Sequence, residues 1–360
     1  MTINNLNGLG PGFDVKGSEM RYRDAFNNTL RSELEHDENV LIIGEDISGG
    51  FDKKTKEPLD AWGGPFAATK GLVQDFGVER IMDAPISEAG FVGAAIGAAL
   101  TGLRPVVDLM YFDFTTVAFD QLLSNAAKSR YMFGGQTKVP LTLFARSGGG
   151  TGHAAQHSSA FYSILAHIPG LKVVTPSDPY SVKGLLSAAI RDDDPVFVVN
   201  DKKLINMTGF VPDEDYQIDL GKGRYTKEGS DITLVGMSYT SIVCKEASEK
   251  LEKIGVNAEV IDLLSLSPLD EQIVIDSVKK TNRIVIVDED NPRASIASEI
   301  AAVVSDKAFD YLDAPVKRVT APHTPVPYSK GLEDEFMPDS NDVFETVKKL
   351  LDIWFFYFFN

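Results

Sequence analysis

Short apolar runs rich in β-branched residues alternate with longer segments of helical period along almost the whole chain, and this alternation limits the possible folds most. The runs are "VLIIGED" from Val40, "RPVVDLMYF" from Arg104, "VPLTLFARS" from Val139, "LKVVTPSD" from Leu171 and "PVFVVN" from Pro195. Segments around 21–36, 87–100, 116–130 and 178–191 between them read as helices. Strands apolar on both faces must be covered on both faces, so the pattern predicts parallel sheets wrapped by helices. A polar, turn-rich stretch, "MTGFVPDEDYQIDLGKGRYTKEGS", interrupts it. The alternation then restarts with "DITLVGMS", "AEVIDLLSL" and "RIVIVDED", with helices expected near 240–254, 269–281 and 294–306. At 360 residues the chain exceeds the usual single-domain size. The expectation is therefore an α/β protein of two domains, each a mostly parallel sheet with helices on both faces. The boundaries read as a flexible arm 1–19, a first domain 20–205, a linker 206–229, a second domain 230–350 and an aromatic tail 351–360.

Composition narrows the function classes. A formal charge of −17 argues against a nucleic-acid or anionic-membrane binder, both of which need basic surface. The single cysteine, Cys244, excludes an intrachain disulfide and a Cys-based metal cluster. No apolar run approaches the roughly 20 residues of a membrane span. The polar, Gly-rich N-terminus lacks the charged and then apolar regions of a signal peptide, so a cytoplasmic location is expected. The tail "WFFYFFN" is conspicuous and far too short to cross a bilayer; it reads either as an aromatic plug into a partner subunit or as an irregularity of the sequence.

Two stretches carry candidate chemistry. "PISEAGFVGAAIGAAL", residues 85–100, is small or apolar after Ser87, as expected of a helix that touches protein on every side, yet it opens with Glu88. Ser87 is a good N-cap, and a carboxylate in the first turn gains from the helix dipole. The alternative is that the small residues let another backbone or a flat ligand approach. A carboxylate desolvated there has a raised pKa and is suited to sharing a proton. "GGGTGHAAQHSS", residues 148–159, is a tightly folded or mobile loop bearing His153 and His157. Their spacing of four suits a metal pair, but no third ligand is evident. A loop histidine moving protons near neutral pH and a merely hydrogen-bonded one are the other readings. "DLMYFDFTT" ends a strand where open α/β sheets bind ligands, and its aromatics suit either core packing or stacking on a planar ring. Neither G-x-x-x-x-G-K-[ST] nor a G-x-G-x-x-G after a strand occurs, so a nucleotide-phosphate cradle is not evident.

Beyond these residues, a family resemblance emerges. "RIMDAPISEAGFVGAAIGAALTGLRPVVDLMYFDF", "FDQLLSNAAKSRYMFGG", "AAQHSS" and "HIPGLKVVTPSDPYSVKGLLSAAIRDDDPVFV" resemble the β subunit of the thiamine-diphosphate-dependent decarboxylating component of 2-oxoacid dehydrogenase complexes. The likeness covers roughly residues 20–350. Within that group "DAWGGPFAATKGLV", "NMTGFVP", "SLSPLDE" and "DEDNPRASIASEIAAVVSDKAFDYLDAPVKRVTAPHTPVPYS" are most similar to the acetoin-cleaving branch. The resemblance implies a transketolase-like pyrimidine-binding domain followed by a transketolase C-terminal-like domain. It implies an α2β2 heterotetramer with thiamine diphosphate at α–β interfaces, Mg²⁺ held by the α subunit, and docking to a lipoyl acyltransferase core.

Carried over position by position, Glu88 is the carboxylate that hydrogen-bonds a pyrimidine ring nitrogen. Ile86 and Met110 flank the ring, Phe114 stacks on it, and His157 handles protons or orients the intermediate. Leu141, Ala189, Asp192 and Asp194 fall where some relatives hold K⁺ through backbone carbonyls, although position 194 is often Asn there. Ser159 stands where many relatives have glutamine. The implied reaction is cleavage of acetoin with transfer of the acetyl unit to a lipoyl group. Pyruvate or a branched-chain 2-oxoacid is the alternative substrate, and a non-catalytic assembly subunit the alternative of another class.

Overall fold

The computed structural model describes residues 16–49 and 62–358, with side chains as far as Leu351. The expected arm therefore lies outside the described residues up to position 15, as do the side chains of the tail beyond Leu351. The chain divides into two compact units.

The first unit takes the described residues up to Ser147, together with Ile164–Leu220. Its strands are β1 (Gly17–Arg21), β2 (Val40–Gly44), β3 (Ile81–Asp83), β4 (Arg104–Tyr111), β5 (Thr142–Ser147), β6 (Lys172–Val174), β7 (Val196–Asp201) and β8 (Thr208–Pro212). Six of these lie side by side in the order β6-β7-β5-β4-β2-β3, and every pairing among them is parallel. β5 and β7 are buried at every residue, which explains runs that carry no polar alternation. The helices are α1 (Tyr22–His36), α2 (Leu72–Phe76), α3 (Glu88–Leu100), α4 (Ala127–Met132), α5 (Ser163–Ala166) and α6 (Pro179–Arg191). The start of α6 is written in "SDPYS": the Asp178 side chain accepts from the Ser181 amide at 2.6 Å, Ser181 Oγ accepts from the Asp178 amide at 3.0 Å, and Pro179 opens the first turn.

Two sequence expectations change here. The helix expected over 116–130 is a 3₁₀ turn at Phe112–Thr116, a π-helical turn at Gln121–Ala126 and then α4. Thr115 and Thr116 tighten the first turn by donating hydroxyls to the carbonyls of Phe112 and Asp113, at 2.7 and 2.8 Å. The stretch 206–229 is not only turns. It contains β8, which pairs antiparallel with β1, and a short strand that joins the other sheet.

The second unit takes Gly148–Ser163 and the chain from Gly221 onward. Its strands are β9 (Arg224–Lys227), β10 (Ile232–Gly236), β11 (Ala258–Asp262), β12 (Ser265–Ser267), β13 (Ile284–Asp288) and β14 (Lys317–Thr320). A five-stranded sheet runs β14-β13-β10-β11-β9, parallel throughout except that β9 is antiparallel to β11. Its helices are α7 (Tyr239–Glu252), α8 (Glu271–Thr281), α9 (Ile296–Lys307), α10 (Lys330–Phe336) and α11 (Ser340–Phe358). Asp270 and Ser295 cap α8 and α9 with their side chains. Ile232, Leu234, Val260, Val285 and Val287 pack with Val243, Leu251 and Val347 into one buried cluster.

Candidate functional site

In the first unit, β2 pairs with both β3 and β4, and Gly44 lies opposite Asp83 on one side and Asp108 on the other. The carboxyl ends of three parallel strands thus meet, at the edge where open α/β sheets take ligands. Gly44 permits this approach, since a Cβ there would sit 2.9 Å from the Cβ and carbonyl of Asp108. Four groups leave this edge: Glu45 after β2, Glu88 at the start of α3, Met110 at the end of β4 and Phe114 in the turn beyond it.

Glu88 is 7% exposed, so it is not a solvated first-turn carboxylate. The expected cap is also absent. The Ser87 hydroxyl makes no capping bond, and only its carbonyl accepts, from the amides of Gly90 and Phe91 at 2.9 and 3.0 Å. The expectation that α3 touches protein on every side holds for one face only. Phe91, Val92, Ala95, Ile96 and Ala99 are buried, whereas Ala89, Gly90, Ala94, Gly97 and Leu100 are exposed. Ala89, Gly90, Ala94 and Gly97 thus form a narrow face of small residues that is exposed among the described residues.

Glu45 was not among the sequence candidates. Its Oε1 is buried without a hydrogen-bond partner. Burial, and then the neighbouring charges of Glu88, Asp46 and Asp108, raise its pKa above its ordinary value. The signal was an acidic pair, "ED", directly after an otherwise apolar strand.

Met110 is buried with a left-handed backbone, φ 59°, where the β4–β5 register shifts. Its amide donates to Asp108 Oδ1 at 2.8 Å, and Asp108 is itself paired with Arg146 inside the sheet. Burial raises the Asp108 pKa against the pull of that guanidinium. A left-handed residue this bulky is uncommon, and the buried ion pair is what fixes it. The Met110 methyl reaches Gly64, where a Cβ would sit 3.3 Å away. Phe114 is half-buried and meets Tyr111 edge-on at 5.7 Å, and Tyr111 meets Phe66 in the same way at 5.2 Å. Ile86 stands 86% exposed just ahead of Glu88.

His157 belongs to the second unit, on the loop Gly148–Ser163. It is half-buried, and its amide donates to the Ala154 carbonyl at 3.3 Å. His153 instead pairs with the Thr151 hydroxyl at 2.9 Å. No group of three or more His, Cys, Asp or Glu side chains suited to a metal occurs among the described residues.

Leu141, Ala189, Asp192 and Asp194 fall in one corner of the first unit, where 139–141 runs beside 193–196. The carbonyls of Leu141, Ala189 and Asp192 accept from Val196, Asp192 and Arg104 respectively, at 2.9, 3.3 and 3.0 Å. The carboxylates of Asp192 and Asp194 pair with Lys172 and Arg130, at 2.6 and 2.5 Å.

Residues 18–208 match the transketolase pyrimidine-binding domain, and residues 221–343 the transketolase C-terminal domain. The chain is 51% identical over 328 residues to the β subunit of acetoin:2,6-dichlorophenolindophenol oxidoreductase of Bacillus subtilis, covering 91% of this chain and 96% of that one. This chain belongs to the transketolase-like dehydrogenase β subunits. The β subunit of the same name from Cupriavidus necator is 44% identical, with 91% and 96% covered. The 2-oxoisovalerate dehydrogenase β subunit of Bacillus subtilis is 39% identical, with 93% and 99% covered. A solved chain described as split gene transketolase, inactive beta4 tetramer, superposes with a TM-score of 0.72 at 22% identity, over 92% of this β subunit and 98% of that chain. That likeness concerns the fold alone. No helix among the described residues of this β subunit is long and apolar enough to cross a membrane.

Proposed function

We propose that this chain is the β subunit of a thiamine-diphosphate-dependent acetoin dehydrogenase, active with an α subunit in an α2β2 heterotetramer. The observation that carries this reading is the carboxylate pair at the sheet edge: Glu88 is buried there, and Glu45 beside it keeps an orphaned buried oxygen and a raised pKa. A buried donor set of this kind suits an aromatic nitrogen base, with which a carboxylate shares a proton instead of being solvated. The half-buried Phe114 ring, the thioether of Met110 and the bare side chain of Ile86 provide apolar contacts for a flat ring, so the residues fit an aminopyrimidine.

When bound, thiamine diphosphate supplies a nucleophilic thiazolium carbon that carries the acyl unit. In this reading Glu88 holds a proton against a pyrimidine ring nitrogen, and the apolar walls keep water from competing for it. Phe114 would stack on the ring, with Ile86 and Met110 beside it. His157 would move protons or orient the bound acyl unit, whose acceptor would be a lipoyl group of the acyltransferase core. The α subunit supplies the diphosphate and Mg²⁺ ligands. The uncovered small-residue face of α3, continuous with Ile86, suits close approach of a partner helix. The carbonyls of Leu141, Ala189, Asp192 and Asp194 provide neutral oxygens of the kind that hold a structural K⁺, each carbonyl having two lone pairs.

Acetoin is favoured as substrate because the relatives named for acetoin are 51% and 44% identical, against 39% for the one named for 2-oxoisovalerate. Co-expression with the α subunit and turnover of acetoin against pyruvate and branched-chain 2-oxoacids tests this. Faster turnover of acetoin is expected. Equal or faster turnover of pyruvate overturns the substrate assignment, and wild-type turnover in Glu88→Gln overturns the catalytic reading in favour of an assembly subunit.

A further inference from the structure

The loop that carries His157 leaves β5 after Ser147 and is fastened to the second unit by carboxylates. Glu333, on α10, is 2% exposed. Its Oε1 accepts from the amides of Gly150, Thr151 and Gly152 at 2.7, 3.2 and 3.2 Å, and its Oε2 accepts from Gly152 at 2.9 Å. Three consecutive backbone N–H groups converging on one anion form a nest, the arrangement that glycine-rich loops elsewhere offer to a phosphate. The left-handed Gly150 and Gly152, φ 82° and 73°, give the chain the curvature this needs. Just upstream, the Gly149 amide donates to Glu289 Oε1 at 2.6 Å. The far end of the loop is tied likewise. The Tyr162 hydroxyl donates to Asp288 at 2.6 Å and Ser163 Oγ to Asp290 at 3.2 Å.

Between these ties the loop packs Ser158 and Ala160 inward and also borders open space. Ser158, Ser159 and Phe161 line a cavity of about 200 Å³ together with Asp290 and Val326. Carboxylates thus fasten both ends of the loop, and the charge-assisted nest gathers the amides of Gly150, Thr151 and Gly152 on one side chain.

We infer that Glu333 is a positioning residue for His157: its carboxylate, seated in the glycine nest, sets the conformation in which the loop presents the imidazole. The second unit thereby takes part in the reaction through the loop as well as in association. This inference rests on the reading of His157 given above. The glycine-rich motif, which matches no nucleotide cradle, is a cradle filled by the chain's own anion.

The test uses the complete αβ enzyme with Glu333→Ala, Glu333→Gln and His157→Asn. Hydrogen exchange at Gly150, Thr151 and Gly152 reads the nest directly. We expect it to accelerate at least tenfold in Glu333→Ala while β10, β11 and β13 keep their protection. Turnover of the same enzyme should fall at least tenfold with KM changed less than twofold. Glu333→Gln, which keeps the length and one acceptor oxygen, should recover part of both and guards against a misfolded alanine variant. If Glu333 acts through His157, the double variant Glu333→Ala/His157→Asn is no slower than His157→Asn alone. Unchanged exchange at the three amides overturns the nest's role, and fully additive losses in the double variant overturn the link to His157. Wild-type turnover in His157→Asn with faster exchange in Glu333→Ala overturns the reading of His157 itself, which separates the two failures.

Discussion

Two glycine-rich stretches, 85–100 and 148–159, look alike in composition and are built on opposite plans. In the first, the glycines join a helix whose own opening residue, Glu88, is the carboxylate proposed above to share a proton with the ligand. In the second, they form a loop whose amides converge on Glu333, which stands far along the chain on α10. The difference lies in where the anion comes from. A local carboxylate leaves the backbone free to be helical, because helical N–H groups are already spoken for by carbonyls one turn back. A remote carboxylate needs free N–H groups, so the chain that receives it must stay out of regular structure.

The strongest test of this contrast is Glu88→Gln. Loss of the proton-sharing group should lower turnover of the assembled enzyme at least 100-fold, the lower end of general acid–base contributions. Thermal unfolding of the variant should stay close to wild type, because Gln conserves volume. Steady-state kinetics alongside a melting curve decides it; a small kinetic loss with a large stability loss would return Glu88 to a structural role.

Next in size is a pH effect on the carboxylates that tie the far end of the loop. Burial first, and then the Asp288 carboxylate, raise the Asp290 pKa to about 7. The unfolded group titrates near 3.9. The folded state thus holds a proton that the unfolded state has lost. The stability from this group is complete below about pH 4 and is lost as pH rises through about 7. Between pH 5 and 8 the loss is roughly 2–3 kcal/mol. Denaturant unfolding at the two pH values should show Asp290→Asn with a flatter dependence than wild type.

A matched pair of glycine substitutions sharpens the comparison further. A Cβ on Gly149 would sit 2.7 Å from Met337 Sδ and 3.3 Å from Val326 Cγ1, so Gly149→Ala overpacks the loop's seat. It should cost about 1–3 kcal/mol. A Cβ on Gly97 meets nothing within 4 Å, and the residue is helical, so Gly97→Ala should stabilise the isolated chain by about 0.5–1 kcal/mol. The same Gly97→Ala change should weaken assembly with the α subunit if the small-residue face is where a partner helix packs. Melting curves of the free chain and titration with the α subunit read the two signs separately.

Much of the fold was legible because parallel strands buried on both faces leave long apolar runs, and caps such as "SDPYS" depend only on neighbours three residues apart. Strands β2, β4, β5, β6, β10, β11 and β13 lie within runs visible in the sequence, and β7 overruns its run by one residue, Asp201. β3 is not among them, since "IMD" is three residues long with only Ile81 fully buried. β8 and β9 hide in a polar stretch because they are antiparallel partners at a sheet edge, where burial is partial and alternation weak. Glu88 drew attention by contrast with its apolar surroundings. The role proposed for it comes from family likeness, because capping explained the sequence equally well; the structure adds that Ser87 makes no cap bond and that the carboxylate is buried.

By itself the sequence determined the class of fold and most of the central strands, and it singled out Glu88 and His157 as candidates, because these follow from local period, caps and side-chain chemistry. Only the tertiary structure decided that Glu45 joins Glu88 at one sheet edge, that a buried Asp108–Arg146 pair holds Met110 in a left-handed turn, and that the His157 loop belongs to the second unit through Glu289 and Glu333. Each of these depends on groups far apart in sequence. Electrostatic and hydrogen-bond energies depend on distance in space and on desolvation, and neither leaves a periodic trace along the chain.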